Sequence, residues 1–298
     1  MTNCSEIQMM PFKPIKVLVM SVGEFANNWT VRYLRRIGTP SENFVVCLPK
    51  QYEHNAQTYE AHGVDVYVYD ESKYINGGFE FFGFKPRNCG GVGRQGIAEA
   101  VEHFGSRFLC FQMDDDYTSF SVYSKKVGRN RRIRKFENLA KMIYAFDEFY
   151  RVLGIDVAAR TGATPPIGRF VTNRKIFNNF VMHPGNSLNF EGFAALCSDD
   201  QRFNLYRNIL QGVPMLSTTH FSVLFHQNQG DRKDGNAVLY NSDCSWKKSF
   251  ALKMMMPWGI AQYAKAEKNR ALFREHIECS KLYPPIMFED KGRIIAHI

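Results

Sequence analysis

Short apolar runs alternate with amphipathic stretches through the first third of the chain. Residues 15–22, 44–49 and 64–69 are rich in branched and aromatic side chains and end in polar or turn-forming residues, which is typical of strands in a parallel sheet. Between them, residues 27–37 and 51–62 carry apolar side chains at helical spacing. This order predicts a βαβαβ unit with right-handed crossovers, and therefore an α/β fold.

A further apolar run, residues 108–113, ends abruptly in three consecutive carboxylates, Asp114, Asp115 and Asp116. Ligands of open α/β sheets bind beyond the carboxyl ends of the strands. Three adjacent acids repel one another unless positive charge compensates them, and Mg²⁺ and Mn²⁺ favour carboxylate oxygens together with substrate phosphates. The pattern therefore predicts a divalent-metal site for a phosphorylated ligand. An acidic turn in solvent, or an aspartate acting as a helix N-cap, is the structural alternative.

The segment in front of this strand, residues 77–96, is rich in glycine and contains Arg87, Asn88, Gly90 and Arg94. It is neither a spaced dinucleotide-binding fingerprint nor a Walker A motif. Its glycines would let backbone amides approach an anion at the start of a helix, and the two arginines add positive charge. We expect a phosphate-binding loop followed by a helix that begins at residue 97. A surface loop without a ligand is the alternative.

A second acidic pair, Asp199 and Asp200, follows an apolar run and precedes a helical stretch over residues 202–210. Acids at a helix start also serve as caps and interact favourably with the helix dipole, so a structural role stays open beside a chemical one. The remaining pattern predicts an amphipathic helix over 136–153, strands over 157–159 and 215–225, a hairpin over 173–182 and a basic helical stretch over 246–277.

Charge adds a candidate partner. The 298-residue chain is 45% hydrophobic and has a formal net charge of +9, which favours nucleic acid or an acidic membrane surface. Residues 123–136 contain no acid, and their basic side chains include Lys125, Lys126, Arg129, Arg131, Arg132 and Arg134. Such a cluster neutralises phosphates, although a solvated basic face is the alternative.

Other features argue against a membrane or disulfide-linked protein. No apolar run approaches the roughly 18 residues of a membrane-spanning helix, and the first residues lack a signal-peptide pattern. Seven cysteines are scattered without a Cys-x-x-Cys pair, and Cys47, Cys110 and Cys197 lie within apolar runs. We therefore expect buried free thiols, no membrane insertion and a cytoplasmic location.

The βαβαβ half, the glycine and arginine segment, the acids at a strand end, the later acidic pair and a downstream histidine together resemble the GT-A glycosyltransferases over residues 15–235. The resemblance implies a GT-A fold with a Rossmann-like, mostly parallel central sheet flanked by helices. It also implies one domain over residues 1–298, with a nucleotide-sugar half at 15–120, an acceptor half at 121–240 and a basic helical extension at 241–298.

The same resemblance implies roles for individual residues. Asp114 and Asp116 would be the outer acids of a DxD-type motif that binds Mn²⁺ or Mg²⁺ on the diphosphate of a nucleotide sugar, a UDP-sugar in our expectation. Asp116 is the more direct metal ligand, and Asp115 lies against the donor with Arg87, Asn88, Gly90 and Arg94. The late metal-binding histidine corresponds to His226 or, less well, to His220. Asp200, then Asp199, matches the acid on the acceptor side, although Ser-Asp-Asp replaces the usual Glu-Asp.

A narrower resemblance rests on Arg87-Asn88, Gly90 and Arg94 ahead of the acidic triplet. This arrangement is similar to the TET-associated glycosyltransferases of phages, which implies transfer of a hexose-type sugar to 5-hydroxymethylated pyrimidines, such as 5-hydroxymethylcytosine, in DNA in a host cytoplasm. An enzyme that acts on a base within a duplex must also extrude it or open the duplex. Three alternatives stay open: a GT-A enzyme for cell-surface glycans or lipids, a nucleotidyltransferase, and a nucleic-acid-binding module without catalysis.

Overall fold

The computed structural model of the chain describes residues 13–76, 90–124, 126–161, 170–171, 179–185, 215–226, 286–288 and 294–296. The described strands are β1 (Ile15–Met20), β2 (Phe44–Pro49), β3 (Val66–Tyr69), β4 (Leu109–Asp114), β5 (Tyr117–Ser124), β6 (Arg129–Arg132), β7 (Asp156–Thr161), β8 (Phe170–Val171), β9 (Val181–Met182), β10 (Met215–Phe225), β11 (Ile286–Phe288) and β12 (Ile294–Ala296). The α-helices are α1 (Trp29–Arg36), α2 (Ala56–Glu60), α3 (Ser72–Asn76), α4 (Gly90–Phe104) and α5 (Phe136–Leu153).

The central sheet has the strand order β3-β2-β1-β4-β9. Its first four strands are parallel, and the short β9 pairs with β4 in the antiparallel direction. A mixed α/β fold with a mostly parallel, helix-flanked sheet is therefore confirmed. The chain moves outward from β1 to β3 and then returns to place β4 on the other side of β1. The carboxyl ends of β1 and β4 thus flank a topological switch point, where open α/β sheets bind ligands.

A second sheet, with the order β6-β5-β10-β7 and with β8 beside β10, was not predicted. Its central strand, β10, is antiparallel to β5 and parallel to β7. The strand β6 consists of three arginines and Asn130 at the edge of this sheet, so it shows no apolar alternation from which a strand could be predicted. The boundary between the two proposed halves, at residues 120 and 121, falls inside β5.

Alternate residues of the central strands face two hydrophobic clusters. Val17, Val19 and Phe111 belong to a cluster that includes residues of α1, α5 and the second sheet. Cys47 and Cys110 belong to the cluster on the other face, which includes α4. Both cysteines are free and buried, as predicted, and burial raises the pKa of the Cys110 thiol to about 12. These thiols are therefore packing groups, whereas Cys197 lies outside the described residues.

Two predicted elements are wrong in extent. The helix expected over 51–62 is a 3-10 turn, Lys50–Asn55, followed by the short α2. The Glu71 carboxylate accepts hydrogen bonds from the backbone N–H groups of Lys50 and Gln51 at 2.7 and 2.9 Å and so fixes the turn. The expected helical extension over 241–298 contains the antiparallel pair β11 and β12. The helical stretch predicted at 246–277 lies outside the described residues.

The glycine-rich segment is also helical from Gly90, so the predicted start of the helix at residue 97 is wrong. The reason is close packing of α4 on the central sheet. A Cβ atom at Gly96 would clash with the buried Tyr69 ring, and one at Gly93 would meet the flexible end of the Met20 side chain. These two glycines therefore allow α4 to pack closely against the strands, and they are not part of a loop.

This packing predicts different effects of two alanine substitutions in α4. Gly96→Ala should lower the free energy of unfolding by about 1–2 kcal/mol, because overpacking outweighs the gain in helix propensity. Gly93→Ala is the matched control, since the methionine side chain can move aside, and it should be neutral or stabilising. Denaturant unfolding measures both. Equal stabilisation by the two substitutions would contradict the close approach at Tyr69.

Candidate functional site

The three acids lie at the carboxyl end of β4, which lies between β1 and β9 in the central sheet. Asp114 is the last residue of β4 and is in register with Met20 at the end of β1. Asp115 and Asp116 form a tight turn that leads directly into β5, and all three are partly exposed. We refer to Asp114, Asp115 and Asp116 as the acidic turn. It occupies the switch point between β1 and β4, as expected for a ligand-binding edge.

Arg94 compensates part of the charge of the acidic turn. Its Nη2 lies 2.6 Å from Oδ1 of Asp114, and the two side chains are 3% and 23% exposed. The close approach of α4 to the sheet brings this guanidinium to the strand end. Sequence reasoning assigned Arg94 to the donor phosphates and left the charge of the acids to a metal. In the structure, the ion pair between Arg94 and Asp114 compensates part of the negative charge of the acidic turn.

Ser21, the residue that follows β1, fixes the side chain of Asp115. Ser21 Oγ donates a hydrogen bond to Asp115 Oδ2 at 2.9 Å and lies 3.3 Å from the Tyr59 hydroxyl. That hydroxyl donates to the Gly23 carbonyl at 2.8 Å and accepts from Asn28 Nδ2 at 3.1 Å. The side chain of Asp115 is therefore fixed across the switch point by the loop that follows β1.

Thr30, which sequence reasoning missed, secures the backbone of the acidic turn. Its hydroxyl donates to the Asp114 carbonyl at 2.5 Å and accepts the Tyr117 N–H at 2.9 Å. Its own N–H donates to the Asp115 carbonyl at 3.1 Å, and the residue is fully buried. Asn28, whose Oδ1 accepts the Val31 N–H at 2.9 Å, caps α1 and sets Thr30 in the first turn. The cap was a usable sequence signal, but the contact with the acids is tertiary.

His226 meets the acidic turn from β10. Phe225 is in register with Tyr117, and the His226 N–H donates to the Asp116 carbonyl at 2.8 Å. The His226 ring stacks on Trp29, with ring centroids 4.5 Å apart and an interplanar angle of 24°. Of the two histidines proposed from the sequence, His226 is thus the one at the strand end beside the acids, whereas His220 lies within β10.

Tyr117, which follows the acidic turn, forms a buried hydrogen-bonded pair with Asn179. Burial, followed by the charges of Asp114 and Asp116, raises the pKa of Tyr117 well above its ordinary value, and its hydroxyl is hydrogen-bonded to Asn179. Asn179 is fully buried, accepts the Ala159 N–H at 2.7 Å and donates to the Ala159 carbonyl at 3.3 Å. Tyr117 therefore stays a neutral hydroxyl, and Asn179 connects β7 of the second sheet to the acidic turn.

The other predicted site residues divide into two groups. Gly90 begins α4 and is buried, while five basic residues are exposed on β6 or beside it: Lys126, Arg129, Arg131, Arg132 and Arg134. Arg87, Asn88, Lys125, Asp199 and Asp200 lie outside the described residues, so their roles remain predictions.

The donor chemistry of the acidic turn suits a hard divalent cation. Among the described residues, no group of three or more histidine, cysteine, aspartate or glutamate side chains forms a metal cage. The turn instead offers carboxylate oxygens at a partly exposed edge. Mg²⁺ is commonly held in this way, by one or two carboxylates with waters and substrate phosphates as further ligands. The residues present therefore fit a metal that arrives with a phosphorylated ligand.

None of the helices in the described part of the chain has the length and apolar character needed to cross a bilayer. No model of a known protein family matches the sequence, and no curated protein matches it either. The acidic turn and the side chains around it therefore carry the functional assignment.

Proposed function

We propose that this protein is a divalent-metal-dependent glycosyltransferase of the GT-A type. It moves a sugar from a nucleoside diphosphate sugar, expected to be a UDP-sugar, to the hydroxymethyl group of a 5-hydroxymethylated pyrimidine in DNA. The observation that carries the proposal is the position of Asp114, Asp115 and Asp116 at the carboxyl end of β4, beside the end of β1. A negatively charged turn at a ligand-binding edge suits a metal-bound diphosphate better than a bare anion.

On the donor side, oxygens of Asp116 and Asp114 would hold Mn²⁺ or Mg²⁺, which when bound stabilises the charge on the departing nucleoside diphosphate. Asp116 is the main ligand in this proposal, because Asp114 already contacts Arg94 at 2.6 Å. Arg94 keeps the Asp114 carboxylate in place, and Ser21 does the same for Asp115. Arg87, Asn88 and the start of α4 at Gly90 are proposed to contact the diphosphate.

On the acceptor side, a carboxylate within hydrogen-bonding reach of the substrate hydroxyl removes its proton if the reaction inverts the anomeric centre. Asp200, then Asp199, is proposed for this role. If the reaction retains the anomeric configuration, the same acid positions the sugar. DNA as the acceptor is supported by the net charge of +9 and by the exposed basic residues on and around β6.

The test is release of nucleoside diphosphate from a panel of nucleotide sugars with Mn²⁺, with and without DNA containing 5-hydroxymethylcytosine. We expect turnover of one donor and a hexose-type mass gain on the modified base. Donor hydrolysis without DNA modification would move the acceptor to a glycan or lipid. Consumption of nucleoside triphosphates instead would indicate a nucleotidyltransferase, and no turnover of any substrate would leave a binding module.

A further inference from the structure

Three arginines line one exposed face of α1. Arg32, Arg35 and Arg36 lie three and four residues apart, a spacing that places side chains on the same side of a helix. Each guanidinium lies over an aromatic ring, with distances to the ring centroid of 4.7 Å for Arg32 over Trp29, 5.6 Å for Arg35 over Phe25, and 5.8 Å for Arg36 over Tyr33. Among the described residues, none of the three forms an ion pair with a carboxylate.

A second row lies on β6 and the segment after it. Arg129, Arg132 and Arg134 are exposed, and β6 is an edge strand that pairs only with β5 among the described strands. These three arginines also make no ion pair with a carboxylate within the described part of the chain. Both rows therefore present positive charge that the acids of the described residues do not neutralise through ion pairs.

The chain joins the two rows at the end of α1. The Tyr33 hydroxyl donates to the Ile133 carbonyl at 3.4 Å, and the Phe136 N–H donates to the Ile37 carbonyl at 2.8 Å. Arg36 Nη2 donates to the Thr118 carbonyl of β5 at 2.8 Å. The segment that carries Arg134 thus crosses the end of α1, whereas the first turn of α1 holds the acidic turn through Thr30. α1 therefore connects the segment after β6 to the acidic turn.

We propose that Arg32, Arg35, Arg36, Arg129, Arg132 and Arg134 form one arginine surface, which binds the sugar–phosphate backbone of a nucleic acid and leads it to the acidic turn. The proposed binding of the backbone depends only on these arginines and not on the proposed enzymatic activity. Delivery of an acceptor base to the acids rests on the proposed function. Sequence reasoning included the β6 row but had no reason to add α1, because its arginines are interleaved with the apolar positions of an amphipathic helix.

The dimensions and chemistry of the surface suit a polynucleotide. The eight residues of α1 span about 12 Å, so its arginines can face roughly three phosphates of one strand at 3.4 Å of helix axis per phosphate. Side chains alternate along β6, so Arg132 and Arg134, about 7 Å apart on one side of the extended chain, can face about two phosphates, and Arg129 lies on the other side. Stacking on aromatic rings holds the α1 guanidinium groups ready for phosphate oxygens. A membrane-binding face would also need apolar side chains to insert. The large hydrophobic side chains exposed in the described residues are only Val127 and Val152, at 39% and 48%.

The experiment measures binding of a short unmodified DNA oligonucleotide over a range of salt concentrations, without metal or nucleotide sugar. Arg35→Gln and Arg132→Gln should each weaken binding several-fold at low salt and reduce the slope of log K against log salt concentration by about 0.7–0.9, the value for one phosphate contact. The double variant should lose about twice that slope, because one polyanion spans both rows. Arg107→Gln is the matched control and should leave the slope unchanged. This exposed residue lies just before the amino end of β4, whereas the acids lie at its carboxyl end.

Each result decides the proposal. Slopes for Arg35→Gln and Arg132→Gln that equal the Arg107→Gln slope would overturn the surface, as would wild-type binding to phosphatidylserine vesicles without binding to DNA. Donor turnover by a protein that does not bind DNA would contradict the arginine surface as a binding site but would still support the glycosyltransferase activity. DNA binding with the expected slopes but without sugar transfer would support the arginine surface and would contradict delivery of an acceptor base to the acidic turn. Thermal unfolding of each variant checks that the fold is unchanged.

Discussion

Asp116→Asn should reduce sugar transfer by about a thousandfold or more while leaving the fold intact. The substitution keeps the size of the side chain and removes the charge of the proposed main metal ligand. A bound metal contributes several kcal/mol to stabilising the transition state, and about 4 kcal/mol corresponds to a thousandfold in rate. The fold should persist because the Asp116 backbone carbonyl, which accepts the His226 N–H at 2.8 Å, is unchanged.

The measurement is the initial rate of nucleoside diphosphate release at saturating donor over a manganese titration, together with a thermal unfolding curve. Glu60→Gln removes the same charge from an exposed residue of α2 and serves as the matched control, with unchanged activity. Near-normal turnover by Asp116→Asn at low manganese would refute Asp116 as the metal ligand. A lost unfolding transition would instead reveal a structural role.

The second large effect concerns the pair formed by Arg94 and Asp114. Arg94→Met should lower the free energy of unfolding by about 3 kcal/mol, because it leaves a carboxylate beside two further acids without its guanidinium partner. Asp114→Asn should cost about 3–5 kcal/mol, because the Arg94 side chain is 3% exposed and would keep a buried charge without a counterion. The double variant Arg94→Met/Asp114→Asn should be more stable than the sum of the two losses implies.

Denaturant unfolding of the four proteins gives the coupling energy of the pair, which we expect to exceed about 2 kcal/mol. Lys73 and Glu99, 2.5 Å apart on α3 and α4 and more exposed, form the matched control pair. The cycle of Lys73→Met and Glu99→Gln should give less than about 1 kcal/mol, because solvent screens the interaction. Additive losses at Arg94 and Asp114 would show that the ion pair is not what holds the acidic turn.

The βαβαβ half could be predicted because β1 and β2 are buried on both faces and therefore appear as continuous apolar runs, while β3 at the sheet edge is partly buried. The bounds of β2, α5 and β10 are those predicted, and the acids at the end of β4 were recognised because charge follows a buried run so abruptly. The pairing of β4 with β1, which creates the switch point, was not predicted. The local pattern of apolar residues was sufficient to predict an element wherever that element buries a whole face.

The remaining features depend on contacts that no local pattern contains. The glycines of α4 indicated a loop, because the sequence does not show that Tyr69 lies against the helix. Arg94 was expected at a phosphate because its partner, Asp114, lies on another element. Thr30 is an ordinary helix residue until the acidic turn is placed beside it. In each case the partner across space, rather than the residue itself, determines the role.

The partners of the acidic turn also differ in when they are synthesised. Ser21, Thr30 and Arg94 all precede the acids in the chain, so their hydrogen bonds and ion pair can form once β4 has left the ribosome. The contact from His226 must wait for β10, since Phe120 pairs with Val223 only after the intervening segment has been made and its loop closed. Translation therefore completes the surroundings of the acidic turn in two stages, with the acids in place before the strand that adds the histidine.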